Sequence, residues 1–326
     1  MRSTSFDAVV LETCVSAAVA APSIHNSQPW RFGLDPDTVT FEVRAAPGAG
    51  LRYTDPEGRA LHLSVGACVL NLRVAMAHFG WDPVTRLLPR PEEPDLLAAL
   101  RPTEPGHPRP GESELYEALW RRHSSRFPFS DRPVLPGPRV ELAAAAAAEG
   151  AWLLFPDHAE TARLLALTAD GERRNRLDAD RCTESRRWVR QDPYIETGNG
   201  MPPEVLGPQD ATERLPMRDF TAQRHPDRLR ARPYESTPVI AMLTTEHDRR
   251  TDWLRAGQAL ERVLLVATVH GLRASLLHQA MEWPDLRESV TSGPGQAHML
   301  IRLGYGPEGP STPRRAARTV LDASPR

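Results

Sequence analysis

Hydrophobic and polar positions along the chain alternate between two periods. Residues 6–20 carry apolar side chains at helical spacing up to Pro22, whose missing N–H and fixed φ end such a run. Residues 30–34 and 39–44 are short and rich in β-branched and aromatic residues. In the second, Val39, Phe41 and Val43 share one face, which predicts strands. Residues 64–78 are apolar nearly all round, and so are residues 254–270. A helix with no polar face must be buried, so both are predicted to lie inside the fold. Further helices are predicted to end near Arg122, over 141–148 and over 158–190, and further strands over 152–155, 239–244 and 298–303. Between Pro89 and Pro110 stand seven prolines with little periodicity, which predicts a linker in which only 96–100 suits a helical turn. Residues 192–238 are long, charged and rich in proline and glycine, the signature of a lid or an insertion.

The two apolar helices align without gaps. Residues 64–80 superimpose on 255–271, matching Gly66 to Gly257 and Gly80 to Gly271, and each helix runs into an extended segment, 83–88 and 272–277. Helix, glycine, strand is a common sequence of elements. The length of the match favours a diverged duplication in which the two helices bury each other across an internal pseudo-twofold.

Composition narrows the classes. The 326 residues are 40% hydrophobic, enough for a large core, and length alone suggests two domains or two halves. Forty basic against 42 acidic residues leave a formal charge of -2, so the basic surplus that nucleic acid or an anionic membrane demands is missing. All the basic residues are arginine. That removes lysine chemistry and leaves guanidinium forks suited to phosphate, although a GC-rich genome explains the same bias. Cys14, Cys68 and Cys182 are odd in number and far apart, giving neither a disulfide framework nor a CxxC pair, which points to a reducing, cytoplasmic setting. Residues 18–22 look like a signal-peptidase site, but Asp7 and Glu12 interrupt the apolar region such a signal needs, so an ordinary helix is expected. Eleven histidines lack an HExxH or other close metal spacing. The GxGxxG at 304–309 is followed by Pro310 and a short tail rather than a helix, and no GxSxG elbow is present.

Two strings carry chemistry. In residues 21–32, Pro22 and Pro29 bracket Ser23, His25, Asn26, Ser27 and Gln28, a rigid run of donors and acceptors that suits the edge of a planar heteroaromatic ligand. Helix capping by Ser23 or Asn26, with Trp30 in the core, explains the residues equally well. In residues 121–129, Arg122 and Arg126 flank Ser124, a set that fits a phosphate dianion, whereas an isolated Arg-x-Ser-x-Arg is more often a solvated helix end.

The first string resembles the Pro-Ser-x-x-Asn-Ser-Gln-Pro-Trp signature of the nitroreductase superfamily, with seven fixed residues in nine. The second resembles that superfamily's Arg-x-Ser-x-Arg, displaced here from the N-terminus to the start of the second half. Together with the 271–272 turn, residues 294–296 before the last strand, and 303–306 followed by Pro313-Arg314-Arg315, the chain is similar over nearly its whole length to the fused, dormancy-linked Acg-type proteins. The resemblance implies an α+β nitroreductase-like fold with two related halves, 1–105 and 106–326, each a mixed or antiparallel sheet flanked by helices, forming an intramolecular pseudo-dimer. It also implies one composite FMN site. Ser23, His25, Asn26 and Gln28 would meet the ring, Arg122, Ser124 and Arg126 the phosphate, Arg314 or Arg315 would join the phosphate site, and the strand end at Leu277 would supply backbone contacts. The flavin would carry the chemistry, with no catalytic protein nucleophile. Two classes of function follow: an NAD(P)H-dependent reductase of nitroaromatic or quinone-like substrates, or a flavin-sequestering or regulatory protein whose 192–238 lid closes the site. A monomer or a weak homodimer is expected, with no nucleic-acid or membrane partner.

Overall fold

The computed structural model describes residues 8–35, 38–46, 48–105, 111–189, 198–220, 231–291 and 295–322. Parts of the expected lid (192–197 and 221–230), the end of the expected linker (106–110), the start of the first predicted helix and Pro294 lie outside the described residues.

The first half runs α1 (Ala8–Val19), β1 (Trp30–Asp35), β2 (Thr40–Ala45), α2 (Arg59–His78), β3 (Trp81–Leu87) and β4 (Leu96–Pro105). Then come α3 (Glu112–Arg121), α4 (Pro136–Ala147), β5 (Trp152–Leu154), α5 (His158–Leu177), α6 (Ala179–Arg187), β6 (Val239–Thr245), α7 (Arg250–Val269), β7 (Arg273–Leu277), α8 (Pro284–Val290), β8 (Gln296–Gly304) and α9 (Ala317–Val320). The strands form two antiparallel four-stranded sheets of matching order, β1-β2-β4-β3 and β5-β6-β8-β7, so α2 and α7 occupy equivalent places between the second and third strands. The main difference lies between the first two strands of each sheet. β1 and β2 are joined by a short turn, whereas residues 155–238, with α5 and α6, separate β5 from β6.

The two sheets meet through α2 and α7, which cross at Gly66 and Gly257. A Cβ on Gly66 would stand 2.2 Å from the Leu254 carbonyl oxygen, and one on Gly257 would stand 2.1 Å from that of Leu63. Gly66 matches Gly257 in the sequence alignment, and Leu63 and Leu254 stand three residues before them, so the contact is reciprocal. Among the described residues, α2 is the helix long and apolar enough to cross a membrane, and it is largely buried in this interface. It begins at Arg59, earlier than the apolar run suggested, because the Asp55 carboxylate accepts from the Ala60 and Leu61 amides at 3.0 and 2.8 Å and so caps the first turn.

Two sequence expectations fail locally. The stretch foreseen as linker or helical turn is β4, a strand with Leu96, Leu97, Ala98 and Leu100 all buried. Burial on both faces erases the alternation that marks a strand. The prolines fit because Pro89, Pro91 and Pro94 precede the strand, while Pro102 lies beyond Leu100, where β2 no longer pairs. The single helix foreseen over 158–190 is two helices, broken at Asp178. That residue is extended (φ -89°, ψ 112°), and its carboxylate accepts from the Arg181 amide at 3.0 Å.

Two elements later in the sequence pack on the first sheet. Ala118 and Leu119 of α3, with Ala317 and Val320 of α9, join its core, where α1 buries Cys14, Val15 and Ala17 to Val19. Beyond α9, Leu321 bridges Phe32 in parallel, and the Asp322 amide donates to the Phe32 carbonyl at 2.7 Å. This path carries residues 306–315 past the junction of the two sheets, where the cavities lie.

Candidate functional site

Two adjoining cavities of about 760 and 620 Å³ share Pro22, Ser23, Arg126 and Leu276 in their walls. The larger is mostly apolar, with Leu63 and Ala67 of α2, Leu260 of α7, Leu277 at the end of β7 and Met299 of β8, while Ser23, His25, Ser275, Arg126, Arg218 and His278 are among its polar points. The smaller is polar, walled by Asn26, Arg122, Ser124, Arg314 and Thr312. Residues that precede β4 and residues that follow it line both spaces.

The 22–28 segment is held in a conformation that side chains resist. His25, Asn26 and Gln28 all have positive φ (52°, 53° and 49°), a region rare outside glycine and frequent at functional sites. Side chains hold it there. Ser23 Oγ accepts from the Gln28 amide at 3.0 Å, and Asn26 Nδ2 donates to the carbonyls of Gly200 and Pro313, both at 2.9 Å. Gln28 is wholly buried, donates to the Gly198 carbonyl at 2.7 Å and accepts from the Arg315 amide at 3.0 Å. It is a brace between the motif, the 198–207 segment and the C-terminal tail, and it lines neither cavity.

The arginine string lies beside β7. Ser124 bridges Ala274, and the Ser125 amide donates to the Ala274 carbonyl at 2.8 Å, which brings Ser124 and Arg126 to the cavity walls. Arg122 donates to the Ala20 carbonyl at 3.0 Å and pairs with the fully buried Glu261 at 3.2 Å. Arg126 has only neutral partners among the described residues: it donates to the Val205 carbonyl at 3.1 Å and sits over the Phe220 ring at 4.8 Å. Of the terminal pair, Arg314 faces inward, donating to Asn26 Oδ1 at 3.0 Å. Arg315 turns away and donates to the Thr319 carbonyl at 2.9 Å.

Among the described residues, the buried Arg122 and the partly buried Arg314 thus neighbour the Glu261 carboxylate, while the partly buried Arg126 has no acidic partner. Burial, then Arg218, lowers Arg126 to about 10; burial and Arg122 lower Arg314 to about 9, with Glu261 opposing. Burial lifts Glu261 to about 7 despite Arg122. Arg126 and Arg314 remain cationic at neutral pH, so the wall carries positive charge largely out of water, a state that an anion relieves.

Sequence reasoning missed a second charged group beside the larger cavity. Arg218 bonds both His25 and the buried Glu282, whose carboxylate also receives Asn175 Nδ2 at 2.7 Å and lies 3.2 Å from His278 Nδ1. Glu282 is held down at about 2: burial raises it, but Arg218 and His278 outweigh that. The motif offered one signal, a histidine between the two prolines, but its partners lie hundreds of positions away.

The fold and site define an α+β protein with two like sheets and a cationic, apolar-ended cavity between them. No protein-family model matches the chain. A Mycobacterium tuberculosis protein named as an NAD(P)H nitroreductase is 32% identical over 97% of this chain and 92% of its own length. Another named NAD(P)H nitroreductase from that organism, Acg, is 29% identical over 96% of this chain and 95% of its own. Among solved structures, a nitroreductase with bound FMN from Bacteroides fragilis aligns over 62% of this chain and 93% of its own, at 14% identity and a TM-score of 0.36. The chain belongs to the nitroreductase family and, within it, to the relatives that include Acg.

Proposed function

We propose that the chain is an FMN-dependent oxidoreductase whose halves, 1–105 and 106–326, act as an internal pseudo-dimer with one composite flavin site. The observation that carries this reading is the polarity of the joined cavities: a mostly apolar space at one end, Arg122 and Arg314 beside Glu261 at the other, and Arg126 in the wall they share. A ligand with a flat apolar head and an anionic tail fits that gradient. An unsatisfied group supports the fit: Ser275 Oγ is buried in the wall of the larger cavity without a hydrogen-bond partner among the described residues.

In this reading Ser23 and His25 border the ring, Asn26 stands on the phosphate side, Gln28 braces them, and Leu277 closes the opposite wall of the ring space. Arg122, Ser124, Arg126 and Arg314 grip the phosphate. When bound, FMN supplies hydride acceptance and donation at N5. The chain's own task is to orient the ring, exclude water and balance negative charge. The electron donor is NAD(P)H and the acceptor a nitroaromatic or quinone-like compound. A second reading, a sequestering or regulatory flavoprotein closed by the 192–238 lid, is favoured by Met217, Arg218 and Phe220, which line the ring cavity from that segment.

Purified protein should be yellow, with visible flavin absorbance; colourless protein that takes up no added FMN ends both readings. Anaerobic bleaching by NADPH selects the reductase, and a flavin unresponsive to NADPH and NADH selects the sequesterer. Arg126→Ala should lose most of its FMN, since an unmet phosphate contact costs about 1–3 kcal/mol; full retention refutes the clamp.

A further inference from the structure

The guanidinium of Arg218 spans two groups at the wall of the larger cavity: Nη1 stands 2.8 Å from His25 Nε2, and Nη2 bonds Glu282 Oε1. A guanidinium has only donors, so Nε2 must be the acceptor in this contact and carry no proton. The imidazole proton of a neutral ring then sits on Nδ1. That atom is buried and has no partner among the described residues, and His25 lines the cavity. The ring cannot readily swing to seek one. It sits on a left-handed backbone (φ 52°) with the edge of Phe220 at 5.4 Å between centroids. Protonation is also opposed: burial first, then Arg218, Arg126 and His278, outweigh Glu282 and hold the imidazole down at about 3.

Resting on the flavin reading above, we propose that Arg218 is a positioning residue that fixes His25 as the Nδ1–H tautomer. The site thereby presents one neutral donor to an oxygen acceptor on the bound substrate, such as a quinone carbonyl or a nitro group. Glu282, pinned by Asn175 and flanked by His278 and Arg181, holds Arg218 at the angle that makes this possible. The segment after α6 therefore contributes selectivity as well as cover. A site with a buried N–H left unmet discriminates against ligands of the same shape that lack an acceptor.

The tautomer is readable without turnover. Long-range proton–nitrogen NMR of the full chain labelled at histidine nitrogens, with His25→Gln identifying the resonances, should show His25 protonated at Nδ1 and unchanged between pH 5 and 8, with or without FMN. Arg218→Met should give mixed tautomers or a ring that titrates near neutrality, while Arg218→Lys, which retains a donor, should restore the wild-type pattern. An Nε2–H ring in the wild type, or an Arg218→Met pattern identical to it, overturns the proposal. Equilibrium binding of 1,4-naphthoquinone to FMN-loaded protein without reductant should weaken roughly tenfold or more in His25→Phe, and naphthalene binding should not; equal losses for both overturn the selectivity. FMN retention, read separately by absorbance, keeps failure of the flavin reading distinct from failure of the tautomer lock.

Discussion

Adding one methyl at the centre of the helix crossing tests the account of the fold most directly. In Gly66→Ala the new Cβ lies 2.2 Å from the Leu254 oxygen and 2.9 Å from the Gly257 Cα, both backbone atoms of a helix packed on its other faces. Ordinary contact needs about 1 Å more, so α2 and α7 must separate rather than a side chain rotate. Overpacking of this kind costs about 1–3 kcal/mol, and the rigidity of the obstacle puts this site at the upper end. Exchange of glycine for alanine inside a helix returns about 1 kcal/mol, leaving a net loss of about 2 kcal/mol. Gly257→Ala should lose a similar amount, its Cβ meeting the Leu63 oxygen at 2.1 Å. The two methyls press on the same crossing, so the double variant should lose less than the sum, with a coupling of about 0.5–3 kcal/mol. Urea unfolding of the full chain measures all three, with Gly137→Ala as control: it lies in α4, and an added Cβ meets nothing within 4 Å. Gly66→Ala at or above wild-type stability, or strict additivity of the pair, refutes the reciprocal crossing.

Other expectations concern the site and its ionisation. Arg314→Ala should release FMN far more than Arg315→Ala, as read by flavin absorbance after gel filtration; equal retention contradicts the inward placement of Arg314. Gly207 has φ 71°, and a Cβ there would stand 2.3 Å from the Arg126 carbonyl oxygen, so Gly207→Ala should lift residues 198–208 off the clamp. Faster amide exchange at Val205 reports this, and unchanged exchange argues against it. His25, His62 and His298 are held by burial at about 3, 4 and 3, against 6.5 when free. The unfolded chain therefore binds protons below about pH 6.5 that the folded chain refuses, and stability falls as pH drops through that window. Glu261, lifted from 4.5 to about 7, acts oppositely: it takes up its proton in the folded state first, so its penalty is full above pH 7 and fades toward 4.5. Glu261→Gln should accordingly steepen the acid loss below pH 6.5 in urea titrations; a slope like that of the wild type removes Glu261 from the account.

Much of the architecture is written in local pattern. The all-apolar runs at 64–78 and 254–270 had to be buried, because neither offers a face to water, and their matched glycines anticipated the crossing. The two short motifs supply residues that line the joined cavities, since proline, asparagine and arginine carry their conformational and charge preferences wherever they stand. Tertiary structure decided the rest. Only its place in the sheet made 96–105 a strand, because burial on both faces leaves no alternation to detect. Only the path of the tail chose Arg314 over Arg315, neighbours with the same side chain and opposite directions. The bond from Arg218 to His25 joins residues 193 positions apart. Local periodicity reports what one element needs, whereas a donor's acceptor depends on which elements the completed core holds together.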